Sequence, residues 1–231
     1  MAWRPGSIGN APFFEGRQPV RENAARAFQL LGRRAEDGLA ELLIALKDTD
    51  EGVRAAAAES LAVLKLDADQ VIPALAELLL GRSRRTAERA LGAIVAYGGA
   101  AVAPLLAGLA DRPQRAVPVL TRVAQRLPNE LLTPLAGKLA RTESPTVREN
   151  AVDVLGQLGK DAQGATPALL AAIRDDLDLD FRVKAIAALA NVAILDDEVK
   201  TVLAAVRATD LRFSVQNAIA NALNALGARK R

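Results

Sequence analysis

From Val20 onward, apolar residues return at spacings of four, four and three in short stretches that recur through the chain. Val20, Ala24, Phe28 and Leu31 make the first set, and Val53, Ala57, Leu61 and Leu64 the second. Further sets start at Thr86, Ala116, Val147, Phe181 and Val215, so successive starts lie 30 to 34 residues apart. Spacing of this kind follows the 3.6-residue turn and predicts, at each start, an α-helix with one apolar face. The pentapeptide Val-Arg-Glu-Asn-Ala marks two of the starts, at 20–24 and 147–151.

A second apolar helix is expected ahead of each start after the first. Its sign is a proline, Pro73, Pro104, Pro134 or Pro167, followed within two positions by leucine. Each proline is expected in a first helical turn, where the amide it lacks would have no intrahelical partner. Gly32, Gly98, Gly159 and Gly227 are expected to stop helices at their C-terminal ends. A pair of helices cannot bury both apolar stripes alone, so successive pairs must stack, and the plentiful alanine allows close approach.

The Pro-x-Leu of the first helices and the Asp-x-x-Val-Arg of the second, as in Asp50, Val53 and Arg54, resemble the HEAT-repeat family. The likeness is to the short bacterial HEAT-like repeats of the phycobilisome-lyase type and covers about residues 20–227. It implies an all-α, right-handed α-solenoid of about six to seven two-helix repeats. It also implies second helices on the concave side and a binding scaffold rather than an enzyme. Residues 1–19 then form a leader or cap, and 20–231 a single repeat domain.

Composition narrows the chemistry. The chain of 231 residues is 51% apolar but only 3% aromatic, and it contains neither cysteine nor histidine. Disulfides, thiolate or imidazole metal sites, cysteine nucleophiles and serine–histidine mechanisms are excluded, and no cofactor or metal is called for. Lack of cysteine fits a cytoplasmic protein. From Leu91 to Ala110 no residue is charged, but Tyr97-Gly98-Gly99 and then Pro104 read as a helix stop and a new start, so no membrane span is expected.

Arg21, Arg54, Arg148 and Arg182 follow the apolar starts, and Asp50, Glu143 and Asp180 precede several of them. Because these residues recur with the repeat, they read as a structural ladder of caps and ion pairs rather than a ligand site. Asp176, Asp178 and Asp180 have the one-three-five spacing of a calcium loop. Phe181 stands where that loop needs glycine and Ala187 where it needs glutamate, so a solvated loop with an N-cap is expected.

Charge is the least even feature. Between Gly81 and Arg126, eight arginines face two acids, a net of +6, which leaves −3 for the remainder of a chain of net +3. Ala116, Leu120, Ala124 and Leu127 take the core stripe of their helix, which puts Arg115, Arg122 and Arg126 on another face, with Arg85 and Arg89 equivalent one repeat earlier. Through the resemblance, these five arginines become a basic partner-binding patch on the concave side. The partner expected is a protein, with an acidic surface. Nucleic acid is the alternative, since guanidinium groups bind phosphate, although Tyr97 is the only aromatic between Phe28 and Phe181. A bilin lyase or lyase subunit is a second alternative, suggested by the name of the repeat class.

Trp3, Phe13 and Phe14 place three aromatics in the leader, which is expected to cap the first repeat. Asn217, Asn221 and Asn224 form a polar stripe on the last helix, a cap for the other end.

Overall fold

A computed structural model describes residues 18–31 and 38–228, and all regular secondary structure among them is helical. The expectations for Trp3, Phe13, Phe14, Gly32 and the terminal Arg229-Lys230-Arg231 lie outside the described residues. Two compact units divide the chain, Met1–Pro104 and Leu105–Arg231.

In the first unit, α1 (Gln18–Leu31), α3 (Glu51–Leu64) and α5 (Arg84–Tyr97) are the helices begun by the apolar starts, and α2 (Leu39–Ala45) and α4 (Ala68–Leu79) precede the latter two. Val53 and Thr86 are the third residues of their helices, and both are buried. α3 packs against α1 on one side and α5 on the other. The reason is size: Ala55, Ala56, Ala57 and Ala58 are all buried in α3, so neighbouring backbones can approach closely. Ser60 is buried in the same interface, where its hydroxyl donates to the Ala25 carbonyl at 2.7 Å. In α1 the stripe departs from expectation. Val20 is 56% exposed, while Ala25 and Phe28 face inward. No helix precedes α1 among the described residues, so the expected stripe has nothing on that side to pack against.

The unit boundary falls inside α6 (Val102–Asp111). In the second unit, α7 (Pro113–Ala124), α9 (Pro145–Leu158), α11 (Leu179–Val192) and α13 (Phe213–Ala228) carry the remaining starts. Ala116, Val147, Phe181 and Val215 are all buried. α8 (Pro128–Gly137), α10 (Thr166–Asp175) and α12 (Asp197–Thr209) alternate with them. α9 packs against α7 and α11, and α11 against α13. A β-carbon built on Gly156 would lie 3.4 Å from the Ala188 Cβ, so α9 and α11 meet backbone to backbone there. Ala116, Leu120, Ala124 and Leu127 form the buried stripe expected of them.

The apolar stretch Arg84–Asp111 has the length and composition of a membrane span, but Gly98 interrupts it. There φ is +55°, a conformation glycine adopts without steric cost, and a 3-10 turn over Gly98–Ala101 separates α5 from α6. Gly159, with φ +58°, ends α9 in the same way.

Several local expectations need correction. Pro104 and Pro167 lie in first turns, but Pro73 and Pro134 lie inside α4 and α8. Both helices begin earlier than their prolines suggest: the Asp67 side chain caps α4 by accepting from the Asp69 amide, and Pro128 opens α8. Gly227 lies within α13 rather than after it, and α3 is closed by Lys65 at φ +50° where no glycine is present.

Candidate partner-binding surfaces

The ladder residues decide which cations are already committed. Arg21 donates to both carboxylate oxygens of Asp48, at 2.8 and 3.0 Å. Arg148 is buried and paired with buried Asp176, and it stacks over the Phe181 ring 4.4 Å from its centroid. Arg182, also buried, donates to Asp210 at 2.8 Å and to the Ile173 carbonyl at 2.9 Å. Each arginine thus reaches an aspartate 27 or 28 positions ahead, in the loop before the next helix that carries an apolar start.

These aspartates each do two things. One oxygen of Asp48, Asp176 and Asp210 accepts the backbone amide two residues on, from Asp50, Asp178 and Arg212 respectively. That closes a tight turn in front of the helix while the other oxygen, and at Asp48 both oxygens, accept from the arginine of the preceding repeat. Burial works against the Asp48 charge, but the Arg21 hydrogen bonds and the Asp50 amide together hold its carboxyl below the usual range. Hydrogen bonds from Arg212 hold the Asp210 carboxyl far below that range, with Arg182 adding to the effect.

Of the acids expected in this ladder, Asp50 caps α3 by accepting from the Gly52 and Val53 amides. Glu143 pairs instead with Lys138, at 2.7 Å. Asp180 follows its cap, because Asp178 takes that role on α11. In the aspartate run, Asp176 is therefore held by Arg148 and Asp178 by helix amides.

The five candidate anchors divide between the units. In the first, Arg85 is exposed on the opening turn of α5, and Arg89 pairs at 2.8 Å with Glu59 of α3 while keeping 54% of its side chain accessible. In the second, Arg115 is exposed and Arg122 half-buried on α7, each with an interaction partner of its own. Arg126 is exposed just past the end of α7, where its amide donates to the Val123 carbonyl at 2.9 Å. None of the five belongs to the buried core. Elsewhere on the second-unit helices, Lys184 of α11 bridges Glu149 and Asp153 of α9, and the Glu149 contact raises its basicity.

Exposed apolar side chains were not foreseen. Leu177 is 78% exposed and Leu211 84%, each between the turn-closing aspartate and the following helix, and Phe213 is 85% exposed. Their loops are too short for periodicity to mark a face, so the local aspartates are the only clue to their setting. Asn217, Asn221 and Asn224 are all exposed on α13, as a polar stripe would be.

The family model for HEAT repeats matches residues 15–92 and 112–190, together more than half of the chain. No curated protein matches it. Among solved structures, the chain is similar to an engineered protein at 17% identity, covering 94% of each chain with a TM-score of 0.39. It is similar to Kap121p bound to Pho4p at 16% identity, covering 92% of this chain and 28% of that one, TM-score 0.46. A computationally designed armadillo repeat protein for modular peptide recognition is similar at 22% identity, covering 90% and 94%, TM-score 0.35.

Proposed function

The chain belongs to the HEAT-repeat family, and we propose that it is a non-catalytic scaffold that binds a protein partner with an acidic surface. Binding uses the outward faces of the helices that carry the apolar starts, the concave faces in solenoids of this type. Arg85 and Arg89 anchor the partner on the first unit, and Arg115, Arg122 and Arg126 on the second. The carrying observation is the charge imbalance, eight arginines against two acids between Gly81 and Arg126, with the five anchors outside the core. Such cations steer an acidic surface and set its register more than they add raw affinity. The absence of cysteine supports a cytoplasmic setting.

Nucleic acid is the second reading, favoured by the same arginines. Against it, Phe28, Tyr97 and Phe181 are buried, so among the described residues only Phe213, on α13 and away in sequence from those arginines, exposes a ring for a base to stack on. The bilin-lyase reading has the name of a narrower repeat class behind it and nothing else.

Fluorescence anisotropy tests the choice, with a labelled polyglutamate peptide and labelled duplex DNA titrated at low and near-physiological salt. The acidic-protein reading expects peptide binding that Arg85→Glu/Arg89→Glu and Arg115→Glu/Arg122→Glu/Arg126→Glu each weaken about tenfold, with helicity unchanged. Tight DNA binding that falls steeply with salt would transfer the site to nucleic acid. Peptide affinity unmoved by both sets of reversals would remove the anchors.

A further inference from the structure

Between the C-terminal ends of α8 and α10, in the second unit, lies an open groove of about 300 Å³. Ala136, Leu139, Ala140, Ala168, Ala171 and Ala172 line it, so its floor is apolar and made mostly of methyl groups. Three charged residues also line it, Arg141 from the α8 side, Asp175 from the end of α10 and Asp176, which is committed to Arg148. Arg174 donates to both oxygens of Asp175, at 2.8 and 2.7 Å, and holds its carboxyl below the usual range, with Arg141 adding to the effect. Two residues beyond Asp175 the chain presents Leu177, 78% exposed. The leucine is held in a fixed loop: Asp176 on its N-terminal side is buried against Arg148 and accepts the Asp178 amide at 2.9 Å across it.

We propose that this surface is a two-fold interface between copies of this chain, in which Leu177 of each copy enters the alanine-lined groove of the other. Leu177 follows directly on Asp175 and Asp176, both of which line the groove, so knob and hole adjoin, as an isologous contact between self-complementary patches requires. The charges obey the same symmetry. Across a two-fold axis, Arg141 of one copy meets Asp175 of its partner, and the reverse pair forms at the same time. A small-residue groove gives shape without a competing side chain, and an exposed leucine locked by a buried ion pair enters it with little conformational freedom left to lose. This interface is independent of the arginine anchors, none of which lines the groove.

Sedimentation equilibrium of the full chain from about 1 to 100 μM tests the proposal. A reversible species of twice the 24.3 kDa chain mass is expected. Leu177→Asp should weaken it about tenfold or more, because it would put a carboxylate into an alanine-lined groove. Arg141→Asp and Asp175→Arg should each weaken it, and the double variant Arg141→Asp/Asp175→Arg should restore it, since both cross-axis pairs are then re-formed with signs exchanged. Circular dichroism of each variant reports folding, and the double variant separates a lost contact from a damaged unit. A monomer at every concentration overturns the proposal and leaves the groove to a different protein. A dimer that Leu177→Asp leaves unchanged overturns it as well.

Discussion

Three consecutive repeats of the second unit are joined by two buried ion pairs, Arg148 to Asp176 and Arg182 to Asp210, while in the first unit the series stops after Arg21 and Asp48. Arg54 is the next arginine in register, and the position where its aspartate would stand, two before the Ser83 cap of α5, is Gly81. Arg54 turns back instead and donates to the Asp48 and Thr49 carbonyls of its own loop, at 2.7 and 2.8 Å. α3 and α5 nevertheless pack against each other. The ladder is therefore not what makes repeats stack. Apolar burial and small residues do that, and the ion pairs fix where each loop sits once stacking has occurred.

That contrast can be broken most forcefully at Arg148. Arg148→Ala leaves the Asp176 carboxylate buried without its cation and removes the guanidinium from the Phe181 ring, so a loss of about 3–5 kcal/mol is expected in urea unfolding followed by circular dichroism. Arg182→Ala should cost less, about 1–3 kcal/mol, because Asp210 keeps Arg212 at 2.6 Å. In the first unit, Arg54→Ala removes two hydrogen bonds to carbonyls at a half-open site, and about 1 kcal/mol is expected. Equal losses at Arg54 and Arg148 would erase the distinction between the units.

Acid titration sharpens the comparison further, with the smallest effect. The Asp210 carboxyl is depressed by Arg212 and Arg182, so the folded chain holds fewer protons than the unfolded one below the unfolded value of about 3.9. Its contribution is complete above that value and is lost as pH falls through the folded pKa. Asp210→Asn should accordingly flatten the stability profile below about pH 4, measured by denaturant midpoints at successive pH values. An identical acid slope in the variant would show that Asp210 is not the group responsible.

The repeat was legible because its carriers are local. Thr86 and Ala116 open buried stripes on spacing alone, and Gly98 and Gly159 stop helices for a backbone reason visible in one residue. Lys65 shows the limit, since a lysine at φ +50° carries no sequence mark of a helix end. Pro73 and Pro134 misled because a proline tolerated inside a packed helix looks the same, in sequence, as one that starts it. The arginines of the ladder were visible, with pairing expected within or between repeats, but the acids singled out were Asp50, Glu143 and Asp180, whereas the partners are Asp48, Asp176 and Asp210 of the following repeat. A contact spanning 27 or 28 residues is set by stacking, and no local pattern reports it. Among the five proposed anchors, charge and a place off the core stripe were readable in advance, but the Glu59 partner of Arg89 was not, for the same reason.

The double use of Asp48, Asp176 and Asp210 also determines where this chain can change length. From each of these aspartates to the buried residue that opens the next core stripe, Val53, Phe181 or Val215, the distance is five residues every time. Adding or deleting one residue there would either open the turn or carry the carboxylate away from its arginine. Two of the connections that follow the stripes differ in length instead: a 3-10 turn over Gly98–Ala101 after α5, a longer one over Gly159–Ala165 after α9. Insertions introduced between repeats should be absorbed at those turns, and a grafted tag or domain placed after Gly98 or Gly159 should leave folding intact where the same graft after Leu177 would not.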